Sequence, residues 1–186
     1  MLNARFFALL GIILSAAAMR LVPHPPNVTP IGAMALFAGA YFAAKRTALL
    51  VPLAAMYLSD LALGFFVYDF GWFHQFMLFV YAGFVATVCL GLLIRHRITP
   101  LTVGGAALTS SVLFFVLTNF GVWLVSDLYP RTAAGLVGCY VAAIPFFRNT
   151  LAGNAFYTLV LFGGFALAQR YIPVLRQEPV TVTTLG

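Results

Sequence analysis

FFRNTLAGNAFY, running from Phe146 to Tyr157, sets Arg148, Asn149 and Asn154 between two apolar blocks. A charge at membrane depth costs about 2.5–3.5 kcal/mol on insertion scales, so such a group has a partner or a purpose. How this stretch is read decides whether the apolar residues before it cross a membrane or lie along one. The number of spans follows from that choice.

The rest of the chain fits a membrane setting. Of 186 residues 63% are hydrophobic and only 8% charged, and the mean hydropathy is +1.02. Soluble domains carry roughly 25% charged residues. The net charge of +6 comes from ten Lys and Arg against four acids, and the basic residues sit at segment ends. That placement is the topological signature of membrane proteins, so nucleic acid is not expected as a partner. Cys89 and Cys139 each lie in an apolar block with no metal-binding spacing, and are expected to pack as small hydrophobes.

Outward from the opening stretch, residues 133–147 are apolar but short and end at Pro145 and Arg148. Residues 150–169 read as the last helix, closed by Arg170 and Pro173, followed by a polar tail over 173–186 that is expected to be disordered. Residues 101–126 form the fifth span, carrying TNFGVW (Thr118 to Trp123), and 75–94 the fourth, closed by Arg95-His96-Arg97. The third, 47–68, contains Pro52 and Asp60, which falls roughly two-thirds of the way across. A carboxylate there should face the bundle interior, and Arg148 is the expected ion-pair partner. Tyr68, Asp69, Trp72 and His74 then form an aromatic turn suited to the interface.

Residues 1–22 read as a first transmembrane helix, although Arg5, an apolar run and SAAAM also describe a secretory signal peptide. VPHPPNVTP, residues 22–30, has four prolines in nine residues and cannot continue the helix. It reads as a stiff loop at a membrane face, either a plain connector or a lid carrying Asn27. Residues 31–44 measure only about 21 Å as a helix and start below the membrane surface. Ala35, Gly39 and Ala43 recur at small-xxx-small spacing, which serves close packing within the bundle or a docking face for a partner protein.

Six spans put Arg5, Lys45, Arg46, Arg95, Arg97, Arg170 and Arg176 on one side, and Arg20, Arg131 and Arg148 on or near the other. A seventh span over 133–147 weakens that bias, so the positive-inside rule favours six spans with both termini cytoplasmic. The expectation is an all-α, polytopic membrane helix bundle in a single domain, residues 1–172, lying in the lipid bilayer. In that arrangement polar residues from four helix ends converge on the outer face: Asn27, Asp60, His74, Asn119, Trp123, Arg148, Asn149 and Asn154. Such convergence, rimmed by aromatics, describes a small-molecule pocket. No HExxH, P-loop, GxSxG or paired catalytic carboxylates appear, so neither an enzyme nor a cofactor is expected.

PNVTPIGAMALFAGAYF (Pro26 to Phe42), LSD (Leu58 to Asp60), TNFGVW and YPRTAAGLVGCYVAAIPFFRNTLAGNAFY (Tyr129 to Tyr157) together resemble a family of small bacterial membrane proteins, over about residues 5–170. That family in turn resembles the substrate-binding S components of energy-coupling factor vitamin transporters. One departure is Asn154, where the family's Gly-Asp pair would place an acid. The resemblance implies a bacterial inner-membrane protein that captures a vitamin-like small molecule from outside under a loop lid. It also implies an ATPase-driven coupling protein as partner. Carried onto this chain, Ala35, Gly39 and Ala43 would dock the partner, residues 22–30 would form the lid, and Asp60, Asn119, Arg148 and Asn149 would hold the substrate. A second reading is an accessory subunit of a larger membrane complex.

Overall fold

The computed structural model describes residues 3–66 and 75–176. Among them are six helices: α1 (Ala4–Ala18, extended by a 3-10 turn, Met19–Leu21), α2 (Ile31–Tyr41), α3 (Lys45–Phe66), α4 (Met77–Ile94), α5 (Pro100–Val125) and α6 (Ala133–Tyr171). All but α2 are long and apolar enough to cross a membrane. No more than 28% of any spanning window is buried, yet the remainder stays apolar. Large side chains such as Phe65, Phe66, Leu93 and Leu101 are more than 70% exposed, which suits a lipid surround. The chain is a multi-pass membrane protein.

The short helix α2 is the hub. Ala33 through Tyr41 are all buried, and α2 touches each of the other five helices. It packs closest on α4: a Cβ on Gly39 would meet Gly91 Cα at 2.8 Å and collide with the Val88 carbonyl. Glycine at both positions lets the two backbones touch. Ala35 and Gly39 are therefore covered from within the chain, so they do not form the outer docking face that their spacing also allowed. Ala43 is exposed, but its carbonyl accepts a hydrogen bond from Arg95 (2.7 Å). At the same end Phe37 and Tyr41 of α2 stack with Phe162 and Phe165 of α6 at centroid distances of 4.7–5.6 Å.

The opening stretch behaves differently from its reading. Residues 133–147 are not a separate surface or re-entrant segment. They are the first part of α6, a single 39-residue helix that runs through Pro145 and Arg148 without a break. Proline in the middle of a membrane helix removes one backbone hydrogen bond, and neighbouring helices compensate. At about 58 Å, α6 is nearly twice the ~30 Å hydrocarbon core, so its ends reach beyond that core. Within it Leu159–Gly163 form a π-helical segment. After α6, Pro173–Leu175 form a 3-10 turn whose Leu175 is buried against α1, and residues 177–186 lie outside the described residues.

The helices gather basic residues at one end. Arg5 donates to the Tyr41 carbonyl (3.4 Å), Arg95 to Phe42 and Ala43, and Arg176 to the last carbonyls of α6. The connection over residues 22–30 lies at the opposite end.

Candidate functional site

The buried ion pair is Arg20 with Asp60, not Arg148 with Asp60. Arg20 Nη2 reaches Asp60 Oδ1 at 2.6 Å, with the two side chains 9% and 7% exposed. Arg20 Nη1 also donates to Ser59 Oγ and to the Met56 carbonyl. The second carboxylate oxygen accepts from the Tyr81 hydroxyl at 2.7 Å. Both Asp60 oxygens are thus engaged, and Asp60 lines none of the cavities described below. Counting 1.5 Å per residue from Lys45, the pair lies about 22 Å up α3, deep enough that neither charge stands alone. Arg148 is exposed, with no ion pair or hydrogen bond among the described residues.

Beneath residues 22–30 are two adjoining cavities of about 100 and 240 Å³, which share Asn27, Phe114 and Thr150. Asn27 sits at φ 64°, a left-handed conformation that asparagine tolerates better than most residues. The segment is fastened to α6. Asn149 Nδ2 donates to the Pro26 carbonyl (3.0 Å), and a Cβ on Gly153 would meet Val28 Cα at 2.9 Å. The smaller cavity adds the hydroxyls of Thr29, Thr87, Ser110 and Ser111. The larger adds Thr118 and Asn119, walled by Phe115 and Phe147. Among the described residues no charged side chain lines either cavity. The chemistry on offer is neutral hydrogen bonding between aromatic walls.

The expected site residues therefore divide. Asn27 and Asn119 line the larger cavity, and Asn149 holds the connection over residues 22–30 beside it. Asn119 Nδ2 donates to the Phe115 carbonyl one turn back (2.8 Å). Asn154 lies deeper and ties α6 to α5: the two N–H bonds of its Nδ2 are shared among Ala107 O (2.9 Å), Ser110 Oγ (3.0 Å) and Ser111 Oγ (2.8 Å). Trp123 closes the loop between α5 and α6 through Pro130 O (3.0 Å). His74 lies outside the described residues. Sequence reading missed Thr87, Thr118 and Thr150, because a threonine on an apolar helix usually bonds its own preceding turn and gives no sign of facing a cavity.

A larger cavity, about 790 Å³, lies near the basic end between α5 and α6. Its walls are apolar, with Arg5, Tyr41, Thr99 and Gln169 among the lining groups.

Five long helices coated with apolar side chains and packed around the buried α2 define an integral membrane protein, with two small uncharged cavities beneath residues 22–30. Over residues 1–175 the chain matches a family of unknown function, DUF6580, and belongs to it. No curated protein and no solved structure matches the chain.

Proposed function

We propose that this protein binds a small, vitamin-like molecule for uptake, as the S components of energy-coupling factor transporters do. The substrate enters from the face opposite the basic end, which the positive-inside rule makes the outside of a bacterial inner membrane, with both termini cytoplasmic. The observation that carries this reading is the pair of cavities beneath residues 22–30. Together they reach the lower end of the range for small-molecule pockets, about 300 Å³. Their lining selects a neutral molecule with a flat ring: phenylalanine faces stack on the ring, while the Asn27 and Asn119 amides offer donors and acceptors for its edge and the Thr118 and Thr150 oxygens, whose hydrogens go to their own helices, offer acceptors. A charged substrate would find no counter-charge among these groups.

Native mass spectrometry of the gently solubilised protein tests the proposal. A discrete co-purifying small molecule, lost in Asn119→Leu while the fold persists, is the expected result. Association with other protein subunits and no small molecule would overturn it in favour of an accessory subunit of a larger complex.

A further inference from the structure

The 790 Å³ cavity calls for a different occupant from the substrate. Its rim residues Leu108 and Leu159 are 55% and 73% exposed, so it opens sideways among side chains that face lipid. From Thr99 to Ser111 it follows α5 for about 18 Å, close to the ~15 Å depth of hydrocarbon in one leaflet.

Three features go beyond a passive apolar groove. First, Arg5 lines it and, among the described residues, has no carboxylate partner and a single hydrogen bond, the long one to Tyr41 O. Second, Thr158 lines the wall at 6% exposure, and its Oγ1 has no hydrogen-bond partner among the described residues. A buried hydroxyl without a partner is unfavourable, and rotation of the Thr158 side chain toward the groove would let a carbonyl oxygen there satisfy it. Third, a Cβ on Gly104 would meet nothing within 4 Å. Unlike Gly39, this glycine serves no contact within the bundle.

We propose that this groove seats one acyl chain of an anionic phospholipid, with the phosphate toward Arg5 and an ester carbonyl within reach of Thr158. The surrounding medium supplies the ligand, the walls match its chain, and the lone guanidinium selects the sign of its head. Basic pockets between transmembrane helices at the cytoplasmic side are established places for anionic headgroups. The inference does not depend on the substrate reading: Ser111 borders both the groove and the smaller cavity, but Arg5, Gly104 and Thr158 line the groove alone.

The test is native mass spectrometry of the delipidated full chain, titrated with phosphatidylglycerol or with phosphatidylcholine of the same acyl chains. Wild type should retain phosphatidylglycerol about fivefold more strongly, the worth of one basic side chain against anionic lipid. Arg5→Gln should erase that preference. Gly104→Phe, which grows into open space, should lose both lipids at an unchanged melting temperature. Thr158→Val, which keeps the shape, should lower retention of both. A preference that survives Arg5→Gln overturns the proposal, as does wild-type retention in both Gly104→Phe and Thr158→Val.

Discussion

Arg20 and Asp60 meet at 2.6 Å between the end of α1 and the upper part of α3, and Tyr81 of α4 completes the carboxylate's shell. Three helices are tied at one depth by groups that lipid would not tolerate singly. Removing one member of a buried pair costs about 3–5 kcal/mol, because the other charge is left without compensation. Arg20→Ala and Asp60→Leu should therefore each lower the melting temperature of the detergent-solubilised protein sharply. Arg20→Met combined with Asp60→Leu should recover most of that loss, since two apolar side chains replace two charges. Tyr81→Phe removes one bond to a charged acceptor and should cost less, about 1.5–3 kcal/mol. Equal losses in the single and double variants would show that the pair is not coupled.

Arg148 presents the opposite case. It is exposed and without a partner among the described residues, and it lines none of the three cavities. Its long stem lets the guanidinium reach toward the membrane surface. Arg148→Ala should leave stability within about 0.5 kcal/mol of wild type, and should leave any co-purifying small molecule in place. A fall in melting temperature as large as that of Arg20→Ala would return Arg148 to the interior.

These two arginines show what the sequence could and could not convey. That Asp60 needs a partner was legible, because an acid within an apolar run admits few alternatives. Which arginine supplies it was not, since Arg20 and Arg148 both flank apolar segments and only the packing of α1 on α3 chooses between them. The small residues of α2 likewise announced a close helix approach, but Gly39 does not reveal that Gly91 is its counterpart. Pro145 misled for a related reason: its local cost is real, yet a helix held by neighbours on both sides of the proline absorbs it. The non-helical connection over residues 22–30 and the two cavity asparagines, Asn27 and Asn119, were legible because prolines and mid-helix amides stand out against so apolar a background.

The glycines of the bundle should separate by what lies opposite them. At Gly39 and Gly91 a side chain would strike partner backbone, which cannot rotate away. Overpacking that a side chain can absorb costs about 1–3 kcal/mol, and here the backbone itself must move. Gly39→Val and Gly91→Val should abolish the folded monomer in size-exclusion chromatography, whereas Gly104→Leu should elute as wild type. Tolerance of valine at Gly39 would mean that α2 and α4 are further apart than described.

The continuity of α6 can be read directly as a length. Val137 and Leu167 are both exposed, at 61% and 52%, so spin labels there would disturb little packing. Thirty residues of unbroken helix place them about 45 Å apart, less a small shortening at the π-helical segment. Were residues 133–147 a surface segment folded at a right angle near Pro145, the same labels would lie about 35 Å apart. Double electron–electron resonance on the reconstituted protein should therefore give a single distribution near the longer distance. Pro145→Ala should narrow that distribution without shifting its centre, because the proline interrupts one hydrogen bond in a helix that its neighbours already hold straight. A dominant population near the shorter distance would restore the break at Pro145, and with it the reading of 133–147 as a surface segment.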